Sequence, residues 1–141
     1  LLHITRSGSP VAAAVDSHFG LSASPFKPAI CEVTVGELWA FAESRNWGNP
    51  RKELLQRVLS QIVVIPISAP GIHERWAALY SYAKGQGLAI QHDHNDVWIA
   101  AAAHVAGLTL LSTDASAFMP LRGTTWVNVI LIDPMSGVVV P

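Results

Sequence analysis

The sequence predicts an α/β fold with three layers, in which helices cover both faces of a mostly parallel sheet. Two observations lead to this prediction. Short runs of apolar and β-branched residues, typical of strands, alternate along the chain with segments in which apolar residues recur at helical spacing. The runs are also apolar almost without interruption, which is the pattern of strands buried on both faces. Ligands of such folds bind at the carboxyl ends of the strands.

The N-terminal half of the chain contains two predicted strands and three predicted helices. Ser9-Pro10 begins an Ala-rich helical stretch, because proline suits the first turn of a helix. The run AICEVT at 29–34 predicts a strand, and apolar residues at helical spacing follow it directly. Pro50 begins the next helix, with the sequence KELLQRVL, and IVVIPI at 62–67 predicts the second strand.

The C-terminal half continues the alternation. A helix is predicted over 72–86, where glycines mark its end, and a polar loop, QHDHN, is predicted at 91–95. An Ala-rich helix follows at 96–106, and LTLLS at 108–112 and the apolar run at 127–132 predict two further strands. The whole chain therefore predicts a single domain, residues 1–141, without repeats.

Composition narrows the class of protein. Half of the 141 residues are hydrophobic and 13% are charged, with a mean hydropathy of +0.34, so the sequence predicts a compact domain with an apolar surface for a partner. No apolar stretch reaches the roughly 18 residues of a membrane span. Cys31 is the only cysteine, so the chain has no disulfide framework, which fits a cytoplasmic protein. In a predicted strand, Cys31 is expected to be a small buried side chain of the core.

Three carboxylates, Glu37, Asp96 and Asp114, follow predicted strands or begin the helix between them. Each has a purely structural interpretation. Thr34 and Glu37 match a capping box. Asn95 is a natural N-cap residue, which would put Asp96 in the first turn of a helix. Asp114 suits a turn or a helix cap. Their shared position favours a functional interpretation, because the fold would bring all three to one edge of the sheet.

Three converging carboxylates repel each other unless cations neutralise them, and oxygen ligands suit Mg²⁺ or Mn²⁺. Such a metal activates water, so the chemistry predicted is phosphodiester hydrolysis without a nucleophilic side chain. Zinc held by His92, Asp93 and His94 is an alternative, although consecutive loop positions lack the helical spacing of zinc-binding histidines.

No motif of nucleotide-binding or serine-hydrolase folds occurs in the chain. The net charge is −1 and the isoelectric point is about 6.6, so any nucleic-acid binding has to be local. Four of the nine basic residues cluster in one short segment, Arg45, Arg51, Lys52 and Arg57. They could form a patch that faces phosphates, but the sequence favours an ordinary solvated helix face.

The segments GELWAFAESRNWG, NDVWIAAAAHVAG and LLSTDASAF, in this order and spacing, resemble the PIN domain family, and particularly VapC-like toxins of toxin–antitoxin pairs. The resemblance implies a three-layer α/β/α sandwich and a magnesium-dependent endoribonuclease, a hydrolase that is often dimeric and restrained by an antitoxin. By matching position, Glu37, Asp96 and Asp114 correspond to catalytic, metal-binding acids of the family. Asn95 and Thr113 correspond to supporting groups.

The chain departs from the family in two places. Residues 115–117 are Ala, Ser and Ala, where many relatives carry another acid. The family also opens with a central strand that ends in an aspartate, and residues 1–141 lack it. Asp16 is predicted on a helix and does not replace that acid. We therefore expect the natural protein to extend upstream of Leu1 by about one strand ending in an aspartate, with LLHIT at 1–5 as the alternative central strand.

The missing acid leaves two further functional hypotheses. The first is a catalytically compromised PIN-like protein that binds an antitoxin or RNA without cutting it. The second is a small structural or regulatory module whose carboxylates only cap helices. Absence of metal binding would favour the second.

Overall fold

The computed structural model describes residues 9–141, so the interpretation of LLHIT lies outside the described residues. Helices and strands alternate in the order α1 (Pro10–Phe19), β1 (Ala29–Cys31), α2 (Glu32–Ser44), α3 (Asn49–Leu59), β2 (Val63–Ile65), α4 (Ile72–Gln86), α5 (His94–Val105), β3 (Leu110–Ser112), α6 (Ala115–Phe118) and β4 (Val129–Leu131). Short 3₁₀ turns lie at Ala89–His92 and Met119–Leu121. None of the helices in 9–141 has both the length and the apolar character needed to cross a bilayer.

The strands form two parallel pairs. β1 pairs with β2, with Ala29 opposite Val63 and Cys31 opposite Ile65. β3 pairs with β4 in the same orientation, and within 9–141 no strand joins the two pairs. The predicted α/β architecture with parallel strands is confirmed, with strands shorter than the sequence indicated.

Helix α5 is the element that both strand pairs share. Its Val97 and Ala100 pack into a core with Leu131 of β4. Its Ala101 and Ala102 belong to a second buried cluster that contains Cys31 of β1. Alanine side chains allow a helix to approach its neighbours closely, so α5 is buried along most of its length and its first turn has a defined place beside the strands.

The first strand ends three residues earlier than predicted. Pairing stops at Cys31, and the chain turns at once into α2, whose Glu32 accepts a hydrogen bond from the backbone of Ile67 at 3.1 Å. Thr34 is consequently inside the first turn of α2, where no side chain caps the helix. The predicted capping box of Thr34 and Glu37 is therefore wrong, and Glu37 lies in the second turn.

Other boundaries follow the predicted signals closely. Helix α4 has the predicted bounds, and Gly87 ends it in the left-handed conformation that glycine adopts without strain. Helix α1 begins after Ser9, whose side chain accepts a hydrogen bond from the backbone of Ala12. Asp16 lies on this helix as predicted, and its carboxylate accepts two hydrogen bonds from Ser22.

Candidate metal and catalytic site

The site is built around the first turn of α5. The N-cap of this helix is Asp93, whose carboxylate accepts a hydrogen bond from the backbone of Asn95 at 2.9 Å. The prediction that Asn95 is the N-cap is therefore wrong, and part of the predicted loop is helical. The aspartate takes the cap because its short side chain reaches the free backbone donors of the helix. Asn95 and Asp96 consequently project from a defined turn.

Asn95 connects α5 to α2. Its side-chain amide donates a hydrogen bond to the carboxylate of Glu37 at 2.9 Å, although the two residues are 58 positions apart in the sequence. Two residues that the sequence predicted for one site are thus in direct contact. Glu37 is exposed and keeps its second carboxylate oxygen free for other contacts within 9–141.

Asp96 is half-buried, and its carboxylate has no hydrogen-bond partner within residues 9–141. The pKa of Asp96 is raised from an ordinary value of 3.8 to about 6, mainly by burial and then by the negative charges of Asp93, Asp114 and Glu37, in that order. Glu37 and Asp114, the other two predicted carboxylates, therefore both act electrostatically on Asp96. Asp93 is a fourth acid beside them, which sequence reasoning considered only for zinc.

Asp114 is in a different environment after β3. It is the N-cap of α6, and its carboxylate accepts hydrogen bonds from the hydroxyl of Ser116 at 2.6 Å and the backbone of Ala117 at 3.1 Å. These donors hold the pKa of Asp114 below its ordinary value. The predicted capping role is confirmed. Thr113 is exposed, and its predicted supporting role stays a prediction.

The donor chemistry of this cluster suits a hard divalent cation. Glu37, Asp93, Asp96 and Asp114 offer only carboxylate oxygens, and the carboxylate of Asp96 is partly desolvated without a donor to stabilise its charge. Within residues 9–141, however, no three His, Cys, Asp or Glu side chains stand close enough together to hold a metal ion as placed. Three of these carboxylates could hold one cation only in an arrangement closer than the one seen here.

The zinc alternative gains no support from the structure. The ring of His94 packs edge-on against the rings of Trp76 and Tyr80, at centroid distances of 5.8 and 5.4 Å. His94 also begins α5, while Asp93 is occupied as its cap. Cys31 is buried, and burial raises the pKa of its thiol, as expected for a side chain of the core.

The comparisons with known proteins agree with this architecture. Residues 11–118 match the model of the PIN domain family. The structure is similar to a chain in the crystal structure of VapBC2 from Rickettsia felis bound to a DNA fragment from their promoter, with a TM-score of 0.66, 20% identity, and coverage of 85% of this chain and 91% of that chain.

A second similar structure is that of VapBC-5, a member of the VapBC family of toxin–antitoxin systems from Mycobacterium tuberculosis. Its TM-score is 0.47 and its identity 26%, and the match covers 58% of this chain and 61% of that chain. No curated protein matches the chain.

Proposed function

Because the chain belongs to the PIN domain family, we propose that it is a metal-dependent endoribonuclease that hydrolyses RNA phosphodiester bonds, with Glu37, Asp96 and Asp114 as the ligands of Mg²⁺ or Mn²⁺. Nuclease-type function is general among VapC-type PIN domains. Metal dependence, the RNA substrate and the named residues are our proposal for this chain.

The observation that carries the proposal is the crowding of Asp96. Its carboxylate is half-buried, accepts no hydrogen bond within residues 9–141, and is affected by the charges of Asp93, Asp114 and Glu37. A fold does not gain stability from such a group, because partly desolvated like charges raise the free energy of the folded state. A divalent cation would offset this cost. Carboxylates that only capped helices would each have a backbone donor, as Asp93 and Asp114 do.

The residues of the cluster have separable roles in this proposal. When a divalent cation is bound, it supplies charge neutralisation and activation of water for attack on the phosphodiester. Asp96, with both oxygens unoccupied, is the principal ligand. Glu37 is oriented by the amide of Asn95, and Asp114 contributes the oxygen that does not cap α6. We keep Thr113 as a supporting residue on the resemblance alone.

We further propose a VapC-like toxin that is restrained by an antitoxin and associates as a homodimer. The similarity of its fold to a chain of the Rickettsia felis VapBC2 complex supports an antitoxin partner. A half-exposed aromatic stack on α4 and α5 supports an apolar contact surface. In it the ring of Trp76 lies 5.1 Å from that of Tyr80 and 5.0 Å from that of Trp98, centroid to centroid. Sedimentation equilibrium tests the dimer, and a monomer throughout the micromolar range contradicts it.

Cleavage of a labelled single-stranded RNA by the purified protein tests the main proposal. We expect products with Mg²⁺ or Mn²⁺, none after chelation by EDTA, and recovery when metal is returned. An enzyme that cuts RNA in EDTA would contradict the metal-dependent mechanism. Binding of RNA or of an antitoxin without cleavage in any metal would instead identify the catalytically compromised binding protein.

A further inference from the structure

The basic segment of the sequence divides into two parts in the structure. The ammonium group of Lys52 is paired with the carboxylate of Glu43 at 2.7 Å, and Arg57 lies in a shallow cleft with Glu53. Arg45 and Arg51 have no carboxylate partner within residues 9–141. Arg57 forms no ion pair within these residues either, so a missing carboxylate partner does not by itself distinguish Arg45 and Arg51.

Both of these arginines are held over aromatic rings at the corner between α2 and α3. The guanidinium carbon of Arg51 lies 3.6 Å from the centre of the Trp47 ring, and that of Arg45 lies 5.4 Å from the centre of the Phe41 ring. The two rings meet edge to face at 5.9 Å. We call Phe41, Arg45, Trp47 and Arg51 the arginine corner.

The backbone makes this corner rigid. Asn46 adopts a left-handed conformation with φ of 50°, which asparagine tolerates, and this turns Trp47 back so that its amide bonds to Ala42 at 3.0 Å. Trp47 is buried as a result. A guanidinium stacked on a ring is already ordered, so it loses less entropy when it binds a ligand than a free side chain does.

Part of the arginine corner lies along α2 from Glu37 of the carboxylate site. Glu37 and Phe41 occupy positions i and i+4 of α2, which project from one side of the helix, and Arg45 follows at i+8 as the C-cap residue. Eight residues of helix span about 12 Å, which corresponds to about three nucleotides of a stacked strand. A polynucleotide along this side of α2 would meet Glu37 first and Arg45 a few phosphates later, with Arg51 at the same corner through the contact of Phe41 with Trp47.

We propose that the arginine corner binds phosphates of single-stranded RNA about three nucleotides from the bond at the carboxylate site, with one phosphate for each of Arg45 and Arg51. The inference rests on the proposed ribonuclease function for its choice of RNA. The unoccupied N–H groups of each guanidinium match the oxygens of a phosphate, and two such contacts align the strand along α2. RNA binding is therefore local, although the net charge of the chain is −1.

The competing explanation is that Arg51 and Arg45 only cover apolar rings. Salt dependence separates the two explanations, since a phosphate contact releases counterions and a ring cover does not. The experiment is fluorescence anisotropy of a labelled 12-nucleotide oligouridylate at several KCl concentrations, without divalent cations so that nothing is cut. We expect Arg45→Gln and Arg51→Gln each to reduce the slope of log K against log salt by about 0.7, and the double variant by about 1.4.

Matched variants control for charge and for folding. Arg57→Gln removes an exposed positive charge from the same helix as Arg51 and is expected to leave the slope unchanged. Arg51→Lys keeps the charge and loses the planar stack, so the slope should persist while binding weakens. Because Arg51→Gln exposes Trp47, thermal unfolding is measured for each variant, and Arg45→Gln keeps the test valid if Arg51→Gln is poorly folded.

Wild-type slopes in both glutamine variants, or an equal loss in Arg57→Gln, would overturn the inference. Displacement of the oligouridylate by polyglutamate as readily as by unlabelled RNA would also overturn it, because the surface would then select any acidic chain. Arginine-dependent RNA binding without cleavage in Mg²⁺ would refute the proposed function alone. Cleavage with no arginine dependence of binding would refute this inference alone.

Discussion

Asp96 and Asp114 are the same residue type, are predicted for the same site, and have pKa values shifted in opposite directions. Asp114 caps a helix after β3 and receives hydrogen bonds from Ser116 and Ala117, which favour its charged form. Asp96 is inside the first turn of α5, where burial and neighbouring carboxylates disfavour the charged form and its pKa rises to about 6.

The comparison shows that a carboxylate gains most from a bound cation when its surroundings provide neither hydrogen-bond donors nor full exposure to solvent. Asp114 has donors that already stabilise its charge, so a metal adds comparatively little to it. Asp96 has no donor within residues 9–141, and a cation would relieve most of its electrostatic cost. The two aspartates should therefore respond differently to mutation, metal and pH.

The largest difference between the two aspartates is expected in the rate of RNA cleavage by their asparagine variants. We expect Asp96→Asn to reduce kcat/KM for RNA cleavage by at least about 100-fold, since a ligand is lost. Asp114→Asn should cost less, because asparagine still caps α6 and one oxygen of Asp114 is already engaged. Asp133→Asn is the control, as Asp133 is also held by turn donors, from Ser136 and Met135. Equal losses of kcat/KM in Asp96→Asn and Asp114→Asn would show that the two aspartates do not differ in importance for cleavage.

Metal binding should stabilise the protein through Asp96. At a Mg²⁺ concentration of 100 times Kd, the linkage relation gives about 2.7 kcal/mol of added stability, visible as a rise in Tm. We expect this rise to vanish in Asp96→Asn, to shrink in Asp114→Asn and to persist in Asp133→Asn. A full rise in Asp96→Asn would show that the cation binds elsewhere.

Because of Asp96, the stability of the metal-free protein should decrease as the pH rises. The pKa of Asp96 is about 6 in the folded protein and 3.8 ordinarily, so folding favours the protonated form and metal-free stability falls as pH rises between these values. The fall is about 1 to 2 kcal/mol, reduced by solvent screening of a half-exposed group.

Asp96→Asn removes this contribution, so in urea denaturation at pH 7 the variant should be the more stable protein, with the difference disappearing below pH 4. Asp114 acts in the opposite direction, because a lowered pKa adds stability that is lost as the pH falls. A wild-type protein and an Asp96→Asn variant of equal stability at every pH would contradict the raised pKa.

The smallest effect is expected at Asn95. Its bond to Glu37 is exposed, so Asn95→Ala should destabilise the protein by about 0.5 kcal/mol. A double-mutant cycle with Glu37→Ala, which removes the acceptor, measures the coupling, and additive effects would show that the contact contributes nothing. A reduction in cleavage larger than this loss of stability would indicate that Asn95 orients Glu37 for the reaction.

Local signals in the sequence predicted the elements well and some caps poorly. The bounds of α4 and the cap of α1 followed from glycine, serine and proline, whose effects on the backbone are local. Asn95 was wrongly preferred to Asp93 as the cap of α5, because both residue types are good caps and the choice depends on where the helix meets its neighbours. The site residues Glu37, Asp96 and Asp114 remain predictions, supported by their electrostatic proximity.

The sequence by itself determined the α/β class, the alternation of helices with parallel strands, and the candidate acids, because each depends on the spacing of residue types along the chain. Only the tertiary structure decided that Asn95 reaches Glu37, that Asp96 and Asp114 have opposite pKa shifts, and that Lys52 is paired while Arg45 and Arg51 are not. These properties depend on burial and on partners distant in sequence. The physical reason is that charge energies vary with distance and solvent exposure, which only the packed chain defines.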